Sequence, residues 1–240
     1  MFATLSVTVL LIGQVLGQGP LFDAASIKPN TSGDSRRRAG TQGRQYVAVN
    51  MPLRRIVAAA YELELEDFRL VGVQPLLSDR FDITATLPDN TTPRDVPAML
   101  RALLAERFKL VVHTETRDAP VLALTVARRD GRLGPKLRQA ADTSAPESQI
   151  SDSIKGRAQP LSSLARMLTM FMQRRVLDKT GLTGAFDFDL QFDAAASGPG
   201  VDSSSALVTA LQEQLGLKLE SMRASVEFVV VDAVERPTSN

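Results

Sequence analysis

Four times along this chain a stripe of apolar residues at helical spacing is followed by strand-like alternation, and neither kind of element is stable in water alone. Leu53, Ile56, Val57, Ala60 and Tyr61 follow Pro52 at i, i+3, i+4, i+7 and i+8, the mark of a helix with one buried face. Val96, Met99, Leu100, Leu103 and Leu104 form a second stripe. Thr92 is placed to cap it, Pro93 suits its first turn, and Asp95 lies near its positive end. A third starts at Pro160, with Leu161, Leu164, Ala165, Leu168, Phe171 and Met172. In the fourth, Leu207, Ala210, Leu211 and Leu215 precede Gly216, which stands where a left-handed C-terminal residue is wanted. Asp202 or a neighbouring serine is its expected cap.

Each stripe leads into two expected strands. Arg69-Leu70-Val71 and then Arg80 to Leu87 follow the first helix. Phe108 to Thr114 and Val121 to Val126 follow the second, joined through Arg117-Asp118-Ala119-Pro120 as a hairpin. Val176 to Asp178 and Ala185 to Phe192 follow the third. Leu217 to Glu220 and Val226 to Asp232 follow the fourth. Phe186, Phe188, Leu190 and Phe192 point one way; Asp187, Asp189 and Gln191 point the other. Two further strands, Phe22 to Ile27 and Tyr46 to Val49, precede the first helix. The expected class is α+β: repeated helix–strand–strand units in antiparallel or mixed sheets, helices packed on one face.

The expected organisation is a leader at 1–17, a first half at 18–135, a polar linker or loop at 136–159 and a second half at 160–240. Leu5 to Ile12 is an uncharged apolar run too short to span a bilayer, with small or polar residues up to Gly19. It reads as a signal peptide cleaved near 17–19, although no Lys or Arg precedes it. Export to the periplasm or the extracellular space is expected, with no integral span after cleavage. The chain has no cysteine, so disulfides and thiolate chemistry are excluded and the fold rests on core burial. Lys plus Arg number 28 against 27 Asp plus Glu. That balance lacks the basic excess of a nucleic-acid binder. Arg36-Arg37-Arg38 reads as part of a solvated loop.

Several phrases resemble one family. They are Phe22-Asp23-Ala24-Ala25-Ser26-Ile27-Lys28-Pro29-Asn30, Ser78-Asp79-Arg80-Phe81-Asp82-Ile83, Glu106-Arg107-Phe108-Lys109-Leu110 and Gly134-Pro135-Lys136-Leu137. Asp178-Lys179-Thr180-Gly181-Leu182-Thr183-Gly184, Ala210 to Glu220 and Val234-Glu235-Arg236-Pro237 complete the set. In this order they are similar to the DUF3738 proteins, a soil-associated bacterial family abundant in Acidobacteria. The segment before the third helix is shorter than the family pattern. The resemblance implies export and a functional link to a BlaR1-type membrane peptidase. It implies no established activity and no catalytic residues. The helix-then-hairpin units are also similar to the short N-terminal modules of secretins and TonB-dependent receptors, an analogy of fold alone.

Chemistry has few candidates. His113 is the only histidine, and Glu115 shares its strand face as a conceivable orienting carboxylate. Asp187 and Asp189 project from one strand face about 7 Å apart, a spacing compatible with paired carboxylates in glycoside hydrolysis. Alternation on a sheet also accounts for both, and a half-exposed strand position accounts for the histidine. Asp178-Lys179 reads as an ion pair beside a turn. No phosphate loop, dinucleotide fingerprint, serine elbow or metal-ligand spacing occurs, so no cofactor and no metal is expected. The expected function is a non-catalytic module that binds an envelope protein or glycan, acting as a sensor. The alternative is an envelope glycan or peptide hydrolase using His113, Asp187 or Asp189.

Overall fold

The computed structural model describes residues 20–63, 66–128, 130–150, 153–192 and 203–237. The expected leader, and the expected cap Asp202, lie outside them. The described chain is α+β, with three four-stranded sheets and helices α1 (Leu53–Ala60), α2 (Val96–Arg107), α3 (Leu161–Met172) and α4 (Ser203–Ala210). A π-helical turn, Leu211–Leu215, continues α4 and ends at Gly216, whose φ is 69°. Thr92 caps the short turn before α2. Its N–H and Oγ1 donate to Asp95 Oδ2 at 2.7 and 2.9 Å, holding that carboxyl below the usual carboxylate range.

Two compact units emerge, residues 1–117 with 226–240 and residues 118–225. The first unit contains β1 (Ala24–Pro29), β2 (Arg38–Gln42), β3 (Gln45–Pro52), β4 (Leu70–Val71) and β5 (Arg80–Thr86). Its own sheet has the order β1-β5-β3-β2 and is antiparallel throughout. β6 (Val111–Val126) then runs from the first unit into the second. The second unit contains β7 (Leu137–Gln139), β8 (Glu147–Ile150), β9 (Ser153–Gln159), β10 (Val176–Asp178) and β11 (Phe186–Gln191). Its sheet, β7-β11-β9-β8, is antiparallel and repeats the order of the first when strands are counted in sequence. β12 (Leu217–Ala233) closes the chain and ends in the first unit. The third sheet, β10-β6-β12-β4, contains parallel pairs.

Each core is completed by the end of the other repeat's last strand. Val229 and Val231 of β12 pack with Leu53, Ile56, Phe81 and Met99 in the first unit, and Val229 pairs with Leu70 of β4. Leu122 and Leu124 of β6 pack with Leu161, Leu164, Phe186 and Phe188 in the second, and Leu122 pairs with Val176 of β10. Burying each such side chain is worth about 1.5–3 kcal/mol, so each strand end adds two side chains' worth of burial to its core.

The structure departs from the sequence reading in three places. Residues 111–126 and 217–233 are each one long strand rather than two. Arg117 to Pro120 contains no glycine or asparagine to turn the chain tightly, and neighbouring strands hold it extended instead. Arg223 donates to the Asp118 carboxylate and carbonyl at 2.6 and 2.8 Å, and Arg117 lies over the Phe228 ring. Residues 136–159 are largely sheet rather than linker, because β7 and β9 pair with β11 and β8 pairs with β9. The division into halves at 18–135 and 160–240 therefore differs from the two compact units, whose boundaries fall inside β6 and β12.

Candidate functional site

The shared strand order gives the paired positions of the second unit's antiparallel sheet counterparts in the first, and this separates residues the fold requires from those it does not. Val47 pairs with Thr84 and Ala48 with Ile83; in the other unit Lys155 pairs with Asp189 and Gly156 with Phe188. Beyond these pairs each long strand carries a bulge, two residues facing one. Val49 and Asn50 face Asp82, and Arg157 and Ala158 face Asp187. Asn50 and Ala158 sit at φ of 54° and 52°. Their backbone N–H groups donate to Asp82 Oδ1 at 2.8 Å and to Asp187 Oδ1 at 2.9 Å. Asp187 therefore does in one unit what Asp82 does in the other: it accepts the donor that the bulge removes from the ladder. Asp82 is further held by Asn30 Nδ2, at 2.8 and 3.0 Å. Lys28 stands opposite Asp82 as Arg138 stands opposite Asp187, and Arg138 Nε is 3.4 Å from the Asp187 carboxylate.

His113 has a counterpart too. Its Nδ1 lies 2.9 Å from both oxygens of Asp232, across from β6 to β12 in the first unit. At the matching positions in the second unit, Thr125 Oγ1 donates to Glu220 Oε2 at 3.2 Å. Lys218, 2.8 Å away, holds the Glu220 carboxyl below the usual range, with Thr125 adding to the effect. His113 is thus one member of a cross-strand polar pair, the ordinary unit of sheet stabilisation. Glu115, the expected orienting group, pairs with Arg117 instead. Asp178 accepts from the Thr180 N–H and hydroxyl, closing a turn rather than pairing with Lys179. The histidine belongs to the first unit and Asp187 and Asp189 to the second.

Asp189 differs from Asp187. Its counterpart is Thr84, and the counterparts of Lys155 and Arg157 are Val47 and Val49. Lys136, two residues before Arg138, stands where Ser26 stands in the first unit. All of these line a groove of about 960 Å³ in the second unit, together with Arg138 and Asp187. Lys155 Nζ is 3.4 Å from Asp189 Oδ2, while Asp189 Oδ1 is shielded from solvent and accepts no hydrogen bond. Arg157 lies 3.6 Å from Asp142, whose carboxyl is held down chiefly by the Ser144 hydroxyl and N–H. Opposite charges facing across strands stabilise a sheet modestly. The first unit, with the same register, does without them.

Sequence reasoning missed Lys136, Lys155 and Arg157. A signal existed in Ser153 to Ala158, where burial alternates: Ile154, Gly156 and Ala158 inward, Lys155 and Arg157 outward. Gly and Ala at inward positions disguise the strand. Gly156 is required there, since a Cβ would lie 2.2 Å from the Phe188 ring.

An α+β scaffold with two antiparallel sheets of the same strand order, and a charged groove in the second unit, is the class of protein that these features define. The chain belongs to the family described as a protein of unknown function, DUF3738, whose model matches residues 54–234, and the resemblance drawn from its motifs is borne out. The match runs from α1 through β12 and so takes in parts of both units. No curated protein and no solved structure matches the chain. Among the described residues no helix is long and apolar enough to cross a membrane.

Proposed function

We propose that the protein is an exported, non-catalytic binding module of the bacterial envelope, and that it takes its partner on the charged groove of the second unit. The observation that carries this reading is internal. At positions where the first unit folds with Ser26, Val47, Val49 and Thr84, the second carries Lys136, Lys155, Arg157 and Asp189. Charge that the scaffold does not need is charge available for recognition. Support for binding over hydrolysis comes from the hydrolase candidates themselves. Asp187 is engaged with a backbone donor, Glu115 pairs with Arg117 rather than His113, and His113 belongs to a different unit from Asp187 and Asp189. The apolar run at Leu5 to Ile12 supports export. The helix–strand–strand pattern survives after α1 and α3, each followed by two strands, in keeping with a duplicated module.

The test replaces Lys155 and Arg157 by valine, the residues of the first unit, in the full chain. Co-sedimentation with isolated envelope should fall sharply while circular dichroism and the melting temperature hold. Unchanged association in the double variant would sink the reading. Degradation of isolated envelope glycan or peptide by the wild type, abolished in His113→Gln with the fold intact, would favour the hydrolase. Export is checked by fusing the first thirty or so residues to a reporter active only outside the cytosol.

A further inference from the structure

The groove also limits what chemistry it can take, and we infer that its ligand is an extended acidic peptide segment of a partner protein, a proposal that rests on the binding reading above. Lys155 and Arg157 are alternate residues of β9, so their side chains leave the same face about 7 Å apart. Lys136 adjoins β7, which lies two strands from β9 with β11 between them, a separation of roughly 10 Å. Cations spread at this spacing do not converge on one point, as a phosphate or other small anion requires. They match the pitch of an extended chain, whose alternate side chains also project about 7 Å apart. Glutamate or aspartate at every second position therefore meets Lys155 and Arg157 in register.

Asp189 lies between these columns, and its Oδ2 accepts from Gln191 Nε2 and sits beside Lys155 Nζ, both at 3.4 Å. The acidic side chains of an extended peptide answer the flanking cations in register. A fluid anionic membrane surface offers no fixed register of charges to match this spacing. Lys136 has no ion-pair partner among the described residues, so its charge is available to the ligand at no cost of breaking an existing pair.

The test is fluorescence anisotropy of a labelled peptide of alternating glutamate and serine, titrated with the full-length protein at low salt. Saturable binding is expected, weakening with added salt and weaker by about tenfold when Lys136→Ser, Lys155→Val and Arg157→Val are combined. A peptide of the same composition with its glutamates in one block should bind more weakly, and the lysine–serine counterpart should not bind. Equal binding of the triple variant, competition by inorganic phosphate at equal charge, or stronger association with anionic phosphatidylglycerol vesicles would each overturn the proposal. If envelope association depends on Lys155 and Arg157 but the acidic peptide does not bind, the ligand class is wrong and the binding reading stands. If neither depends on them, both fail.

Discussion

Replacing Asp187 by alanine takes away the acceptor of the Ala158 N–H, a donor on a residue only 6% exposed. The alanine side chain offers no substitute, and the bulge leaves no ladder carbonyl in place for it. A hydrogen bond to a charged acceptor is worth about 1.5–3 kcal/mol net. The Arg138 contact adds little, because the arginine is 80% exposed and 3.4 Å away. The expected loss is therefore about 2 kcal/mol, which lowers a urea midpoint by about 1 M for a typical denaturant slope. Asp82→Ala should cost more, about 2–4 kcal/mol, since Asn30 is released together with the Asn50 N–H. The asparagine variants keep an acceptor oxygen and should lose less than half as much. Urea unfolding followed by far-ultraviolet circular dichroism reads all four. A wild-type midpoint for Asp187→Ala would refute the argument and return that carboxylate to the pool of groups free for chemistry.

Two other outcomes are expected. Gly134→Ala should lower the melting temperature by an amount equivalent to about 1–3 kcal/mol, because its Cβ would lie 2.3 Å from the Gln214 carbonyl oxygen and 2.6 Å from the Gly216 nitrogen, backbone atoms that no rotamer change can move aside. Asp95→Asn should change how stability depends on acid. The folded-state pKa of Asp95 is depressed, mainly by the Thr92 N–H and hydroxyl. Its contribution is therefore complete above the unfolded-state value of about 3.9 and is lost as pH falls through the lower folded value. Melting curves should show a gap between wild type and variant that is constant above about pH 5 and closes in stronger acid. A gap that widens on acidification would contradict the capping geometry.

The elements that local physics specifies were legible in the sequence. Strict alternation put Phe186, Phe188 and Leu190 inward, and all three are buried. Thr92 and Gly216 were placed as helix ends because capping and left-handed geometry each demand a narrow set of residues, and both serve there. What escaped was set by partners far along the chain. Nothing near Ala158 announces a positive φ, since the bulge is stabilised by a carboxylate 29 residues away. The strand at 153–159 hides because Phe188 fills the space its inward side chains would take, leaving Gly156 and Ala158 where an apolar pattern is sought. The run from Val111 to Val126 looked like two strands because its middle is polar; that polarity reflects exposure within one continuous strand, and no chain reversal occurs. Of the candidate site, Asp189 is legible, but its difference from Asp187 is set by distant ladder partners: Lys155 pairs with Asp189, while the β9 bulge gives Asp187 the Ala158 N–H.

The interlaced strand ends also dictate an order of events during translation. The opening repeat acquires Val229 and Val231 only after residues 118–225 have been synthesised. Until then the first unit lacks two of its buried core side chains. A truncation before Val226 removes both valines from the first unit, whereas Leu122 and Leu124 lie within the second unit's own residues 118–225.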